Sequence, residues 1–353
     1  MNILKNFIIF LIGITFLLNN SSIYGQTLDV EDILYNTIRN HNKISFTGIK
    51  VMEVSRVDSQ FKGTAKIEYY NNDNFMITLL EPQDVNGLSF FVLDGLANIY
   101  LMKESLYLCN GNLRGLDLIV DTILGKITNN PTLLLQNYSM VLRNDDYISS
   151  LPVYVLDFQP KHDFFTPCRR YWIDKKNFQI LREERYWAPN EGAYYISYYD
   201  GYSTKIDSKP VLNINKKVKT ISMSPKDENY FLVFNSHKET EKIIKEKIYL
   251  PTYVPLGFVL NNIQVLNLYD AKIIILNYND GLNNFLVTYR PKQNFFITLL
   301  AGIASMNFLK SMSTLSYHSP NNYKSITTNK YMVVTFGDLY PDDLDKIAKS
   351  INF

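Results

Sequence analysis

The chain has 353 residues, a formal net charge of +2 and a hydrophobic content of 46%. This length suits about two domains with real hydrophobic cores, and the near-neutral charge argues against a surface that binds nucleic acid. The 26 tyrosines and 21 phenylalanines, with many isoleucines and valines, favour half-buried pleated surfaces, so we expect a mostly β (α+β) protein.

Residues 1–25 have the pattern of a signal peptide. Lys5 precedes an apolar run over 7–18, and a polar stretch then leads to a predicted cleavage after Gly25. The apolar run is shorter than the roughly 20 residues that span a hydrocarbon core, which disfavours a membrane anchor. The bulky Ile23 before the cleavage site leaves an uncleaved anchor as the alternative. In either case we expect export to the periplasm or otherwise to the cell envelope.

The mature chain is predicted to begin with one helix and to continue as strands. Asp29 suits a helix N-cap, and apolar residues recur at helical spacing as far as Ile38. Strand patterns separated by polar turns then follow at 64–70, 75–80, 88–93 and 98–102. The run over 88–93 is apolar on both faces, so one face needs an apolar cover from helices or from a lipid.

A second helix is predicted over 113–127, where an apolar stripe contains few charges. We expect this helix to be buried in the core or to face a cavity. Further short strands follow at 153–158, 170–173, 179–186 and 194–199. Successive short strands with short turns predict an antiparallel meander.

The chain contains two cysteines, Cys109 and Cys168. In an oxidising compartment they could form one disulfide between distant strands. Two separate thiols are the alternative, and the sequence favours neither.

Four short segments in the first half of the chain carry a family likeness through their order and spacing. They are 80–88 (LEPQDVNGL), 99–101 (IYL), 171–174 (YWID) and 180–183 (ILRE). Through them, 26–206 resembles the lipoprotein-carrier superfamily of periplasmic half-barrels typified by LolA. The resemblance implies a curved antiparallel half-barrel with covering helices, which encloses an apolar cavity for lipid or lipoprotein acyl chains.

Nine apolar residues are the candidates for lining that cavity. They are Phe75, Ile77, Leu79, Phe90, Val92, Ile99, Leu101, Ile119 and Ile123. Ordinary core packing is the alternative for each one taken singly, so the hypothesis rests on the set.

The range 207–247 is polar and rich in lysine, which predicts a connection between two domains. Glutamates dilute the lysines, so we favour a solvated surface over a contact with anionic lipid headgroups. After it, Pro251 and Pro255 predict an extended entry into a second domain.

In this second domain, strands are expected at 262–267, 272–278 and 284–289, with 279–281 as a turn. A closing helix is expected after Pro341, with Leu344, Ile347, Ala348 and Ile351 on the face that docks on the sheet.

Two segments carry a second likeness: 250–258 (LPTYVPLGF) and 331–339 (YMVVTFGDL). They resemble the C-terminal domain of the MucB/RseB family, periplasmic regulators of envelope-stress sigma factors. The resemblance implies that 248–353 is a smaller α+β domain and that the extracytoplasmic domain of an anti-sigma factor is the partner. The range 295–309 departs from the family because it is almost wholly apolar. A buried helix is the first interpretation, and an exposed patch for a partner or a peripheral membrane contact is the second.

The sequence lacks the local motifs of common enzymes. The histidines His41, His162, His237 and His318 are isolated, and HExxH, Cys-x-x-Cys and Gly-x-Ser-x-Gly are all absent. A triad assembled in space stays open, but we expect a non-enzymatic protein without cofactor or metal. The favoured hypothesis is an envelope-stress regulator that binds an anti-sigma factor and senses acyl chains. The alternative is a periplasmic carrier of lipoproteins or lipids.

Overall fold

The computed structural model of the chain describes residues 28–41, 43–56, 59–102, 105–111, 124–128, 130–161, 166–188, 191–206, 208–211, 218–222, 231–268, 271–291 and 322–353. Three sequence predictions fall outside these ranges: the signal peptide, most of the helix over 113–127, and the apolar range 295–309.

The first sheet has thirteen strands. In chain order they are β1 (Phe46–Arg56), β2 (Ser59–Asn71), β3 (Asn74–Glu81), β4 (Leu88–Leu93), β5 (Leu96–Leu101), β6 (Leu106–Gly111), β7 (Tyr138–Leu142), β8 (Asp146–Ile148), β9 (Leu151–Pro160), β10 (Cys168–Asp174), β11 (Ile180–Tyr186), β12 (Tyr195–Ser203) and β13 (Lys219–Ser222).

The order of these strands across the sheet is β13-β6-β5-β4-β3-β2-β1-β12-β11-β10-β9-β7, and β8 also pairs with β9. Apart from the parallel pairing of β13 with β6, the described pairs are antiparallel. The sheet is large, curved and open. The expected mostly β fold with a curved antiparallel sheet is therefore confirmed.

Two helices cover one end of this sheet. Helix α1 (Val30–Asn40) begins at the predicted N-cap Asp29, whose carboxylate accepts from the Val30 amide at 2.6 Å. Helix α2 (Pro131–Asn137) was not predicted from the sequence. It begins after Asn130, whose side chain accepts a hydrogen bond from the Leu133 amide. Its seven residues are too few to show a helical repeat.

The face of the sheet that the helices cover is here called the inner face. Residues paired across antiparallel strands share a face. Met52 pairs with Ser197, Ser197 with Glu183, and Glu183 with Tyr171, so these four side chains point to the same side. Tyr171 packs in the cluster that contains Leu34 of α1, which places this side beneath the helices.

The second sheet has six strands in the order β14-β15-β16-β17-β19-β18. Their bounds are β14 (Phe231–Phe234), β15 (Val259–Leu268), β16 (Ala271–Asn279), β17 (Asn284–Pro291), β18 (Asn322–Thr327) and β19 (Tyr331–Gly337). The predicted strands over 262–267, 272–278 and 284–289 all lie within this sheet.

Helix α3 (His237–Ile244) lies between β14 and β15, and α4 (Pro341–Lys349) follows β19. The four residues predicted to dock, Leu344, Ile347, Ala348 and Ile351, are at most 6% exposed and belong to the core of this sheet. The apolar face of α4 therefore packs as its spacing predicts.

The polar range 207–247 contains more structure than its composition suggests. Strand β13 extends the first sheet, β14 begins the second, and α3 follows. Both strands have four residues, too short for an alternating pattern to stand out. The two cysteines lie on β6 and β10 with seven strands between them in the sheet, and they do not form a disulfide, so the alternative of two separate thiols is the one observed.

Ile77 and Thr78 are neighbours in β3 on opposite faces, which gives a matched test of the inner core. Ile77 is fully buried, and we expect Ile77→Ala to lower the free energy of unfolding by about 2–5 kcal/mol because it leaves a cavity. Thr78→Ala removes one bond to the Ser89 hydroxyl and is expected to cost about 1 kcal/mol. Urea unfolding followed by circular dichroism measures both. Equal losses would contradict the assignment of faces.

Candidate functional site

Seven of the nine predicted cavity residues lie together on the inner face of the first sheet. Phe75, Ile77, Leu79, Phe90, Val92, Ile99 and Leu101 belong to one cluster and are between 0% and 5% exposed. The other two, Ile119 and Ile123, lie outside the described residues. These seven residues, together with the other buried residues of the same cluster, are here called the inner-face apolar cluster.

The strand register explains why these residues meet. Ile67 pairs with Ile77, Ile77 with Phe90, and Phe90 with Ile99, so one row crosses four strands. Alternation along each strand then brings Phe75, Leu79, Val92 and Leu101 to the same side. The period of two was visible in the sequence, and it was the signal that located the set.

The aromatic part of the cluster was not predicted from the sequence. Phe46 stacks on Tyr69 with ring centroids 5.4 Å apart, and Tyr69 stacks on Phe75 at 6.0 Å. Tyr199 meets Phe46 edge to face at 5.6 Å. Strands β1 and β12, which supply Phe46 and Tyr199, are remote in sequence and pair directly. No local pattern could have joined them.

A buried ion network lies on the same inner face, where the first sheet meets the second. Glu183 Oε1 accepts from Arg169 Nη1 at 3.1 Å and from Arg185 Nε at 2.7 Å. Asp338, which follows β19 of the second sheet, accepts through Oδ2 from Arg169 Nη2 at 2.6 Å and Arg185 Nη1 at 2.5 Å. All four side chains are at most 7% exposed. Two arginines and two carboxylates thus form a closed network across the junction.

The turn between β16 and β17 extends this network. Asn283 Oδ1 accepts from Arg169 Nη2 at 2.7 Å, and Asn283 Nδ2 donates to the Tyr138 hydroxyl at 2.7 Å. Tyr138 in turn donates to Asp280 Oδ2 at 2.5 Å. Burial raises the pKa of Asp280, whereas the hydrogen bond from Tyr138 acts in the opposite direction. The turn was predicted as a simple hairpin connection, and the structure shows that it is also the docking element.

Backbone packing at this turn is equally close. Gly281 has φ +98°, and a Cβ there would lie 2.3 Å from the Leu134 amide nitrogen of α2. Leu282 is 3% exposed and packs in the cluster beneath α1 and α2. Nearby, Trp187, which directly follows β11, stacks on Tyr340 with ring centroids 4.2 Å apart. Polar, apolar and aromatic contacts therefore hold the same junction.

Among the described residues, no group of His, Cys, Asp or Glu side chains is arranged to hold a metal ion. The helices in this part of the chain include none that is long and apolar enough to cross a membrane.

Solved structures with a similar fold include three that contain MucB. The crystal structure of MucB matches with a TM-score of 0.56 and 15% identity, over 92% of this chain and 98% of that chain. MucB in complex with MucA(peri) matches at 0.54 and 15%, with the same coverage. The Pseudomonas aeruginosa MucA/MucB complex matches at 0.54 and 14%, over 92% of this chain and 99% of the other. The chain has the fold of MucB over both sheets.

Sequence comparison adds nothing to this likeness. No protein-family model matches the chain, and no curated protein matches its sequence. The likeness is therefore one of fold.

Two glycines with positive φ give a matched test of the junction. Gly201 has φ +66° and open space around its Cβ position, so Gly201→Ala should cost about 1–2 kcal/mol from backbone strain alone. Gly281→Ala adds a clash with Leu134 and should cost about 1–3 kcal/mol more. Thermal unfolding measures both variants. Equal destabilisation would show that the turn does not approach α2 closely.

Glu183 links stability to pH. Burial acts to raise its pKa, but Arg185 and Arg169 outweigh burial and hold the pKa below its ordinary value of 4.5. A lowered carboxylate pKa stabilises the fold above about pH 4.5, and this stabilisation is lost as pH falls through the folded-state pKa.

Glu183→Gln should therefore cost about 3–5 kcal/mol at pH 7, because it leaves buried guanidinium charge unpaired. It should also flatten the loss of stability that occurs as pH falls below about 4.5. Denaturant unfolding across this range measures the effect. The control is Glu53→Gln on β1, because Glu53 lies on the opposite face of the sheet from Glu183. If the stability of Glu183→Gln falls with decreasing pH as steeply as that of the wild-type protein, this pH dependence does not come from Glu183.

Proposed function

We propose that the protein is a non-enzymatic regulator of the envelope-stress response. In this proposal it binds the extracytoplasmic domain of an anti-sigma factor in the periplasm and senses lipid or lipoprotein acyl chains on its inner face. The observation that carries the proposal is the match to MucB over 92% of this chain and 98% of MucB, because it spans both sheets.

The partner of MucB supports the proposed class of protein partner. Two of the similar structures hold MucB together with MucA. The resemblance of 250–258 and 331–339 to the MucB/RseB C-terminal domain supports placing this contact on the second sheet. We therefore propose that the second sheet makes the principal contact with the partner.

The inner-face apolar cluster supports the acyl-chain part of the proposal. Its strands present a continuous row of aliphatic and aromatic side chains across β2 to β5. Burial of apolar surface favours an acyl chain by about 0.8 kcal/mol for each CH₂ group removed from water. Such a chain would replace the packing that now covers the cluster.

The ion network supplies a physical route between the two proposed sites. Glu183 and the two arginines belong to the inner face, and Asp338 belongs to the second sheet. A ligand that displaced any one of these four groups would leave a buried charge unpaired, which costs about 3–5 kcal/mol. In the proposal, occupation of the inner face weakens the partner contact through this junction.

The proposal is tested by cross-linking in intact cells, followed by affinity purification of the full chain and mass spectrometry of the proteins attached to it. An unrelated exported protein with the same tag is the control. We expect one membrane-spanning protein with an extracytoplasmic segment and a cytoplasmic sigma-binding region. Its purified extracytoplasmic segment should bind the chain at least about tenfold more weakly once an acylated peptide is added.

The periplasmic carrier is the competing function, because the inner-face apolar cluster lies wholly within the first sheet. Recovery of many lipoproteins, without any such membrane-spanning protein, would contradict the regulator and favour the carrier.

A further inference from the structure

A lysine lies on the inner face beside the apolar cluster. Lys50, in the middle of β1, is 2% exposed. Its paired neighbours are Ala65 and Tyr199, which are both members of the cluster. Its ammonium group is 5.4 Å from the centroid of the Tyr199 ring, and a Cβ on Gly125 would lie 2.9 Å from Nζ. The side chain of Lys50 is therefore almost wholly enclosed by the protein.

The ammonium group of Lys50 makes no hydrogen bond or ion pair with any residue in the described part of the chain. Glu183 acts on it electrostatically, but Glu183 Oε1 already accepts from Arg169 and Arg185. Both arginines are bound in turn by Asp338. The carboxylates of the ion network are thus shared among arginines and none is committed to Lys50.

The other groups near Lys50 add positive charge or none. Burial, followed by the charges of Lys126 and Lys50, lowers the pKa of His41 to about 4, so this histidine is neutral at pH 7. Burial also lowers the pKa of Lys50 to about 8, with Arg185 acting in the same direction and Glu183 opposing it. Lys50 is therefore still mostly protonated at pH 7 and carries a positive charge into a largely apolar region.

An enclosed charge without a partner is costly, and natural proteins pair such charges or neutralise them. The register shows what lies next to this charge. Lys50 pairs with Ala65, and Ala65 pairs with Leu79, so a row of apolar side chains leads from the ammonium group across the sheet. A molecule with one small anionic end and one long apolar body would satisfy both features.

We propose that Lys50 binds the carboxylate of a free fatty acid whose chain lies along the inner-face apolar cluster. This inference rests on the proposed function, because it uses the same acyl-binding face, and it assigns the chemical class of the ligand. A carboxylate carries a single negative charge and is the smallest anionic head of the common lipids. One enclosed ammonium group matches that charge, whereas a phosphate carries up to two charges and needs more donors.

Isothermal titration calorimetry on the delipidated full chain tests the inference with three probes of equal chain length: palmitate, methyl palmitate and hexadecyl phosphate. The variant is Lys50→Met, which keeps the length of the side chain and removes the buried charge. The control is Lys66→Met on the outer face of the neighbouring strand, where Lys66 is 49% exposed and paired with Glu68. Thermal unfolding of both variants confirms that they fold.

We expect the wild-type chain to bind palmitate at least tenfold more tightly than methyl palmitate. Lys50→Met should remove that difference by weakening the binding of palmitate alone. Lys66→Met should leave the difference unchanged. Equal binding of palmitate and its methyl ester would overturn the inference while leaving acyl binding in place. Tighter binding of hexadecyl phosphate than of palmitate would overturn the choice of head group. Failure of all three probes to bind would overturn both the inference and the acyl-sensing part of the proposed function.

Discussion

The bonds from two buried arginines to Asp338 determine how the two sheets meet. Arg169 and Arg185 are paired residues on β10 and β11, so their guanidinium groups share the inner face at close range. Like charges in that position repel unless carboxylates lie between them. Glu183 supplies one carboxylate from the first sheet, and Asp338 supplies the other from the second. The charges of the two arginines are therefore balanced only when the second sheet is docked on the first.

The rest of the junction follows from this constraint. With Asp338 held, the turn after β16 can lie against α2, where Gly281 has no side chain to obstruct the approach. Leu282 then enters the cluster beneath the helices, and the Tyr138 hydroxyl meets Asp280. These contacts join one end of the inner face to the second sheet. The inner-face apolar cluster occupies the other end, and Lys50 lies between the two.

Much of the fold could be predicted because its signals are local. An apolar run over 88–93 located β4, helical spacing located α1 and α4, and the residues of 279–281 located the turn. The inner-face set was predictable for the same reason, since a period of two sorts each strand into faces. Short or polar elements such as β13 and α2 lacked enough length for a pattern to appear.

The junction could not be predicted, because its partners are far apart in sequence. Arg169 and Asp338 are separated by 169 residues, and a lone charged residue on a strand normally indicates solvated surface. The same expectation hid Lys50, whose neighbours are set by the pairing of β1 with β12. Only the assembled sheet shows that these charges are buried together.

The central claim is that the inner face and the junction respond to a ligand as one unit. Hydrogen exchange of the full chain, followed by mass spectrometry with and without an acylated peptide, tests it most directly. The account predicts slower exchange along β2 to β5 and a simultaneous change in the turn over 280–283. Slower exchange along the strands, with the turn unchanged, would contradict the coupling on which the proposed regulation depends.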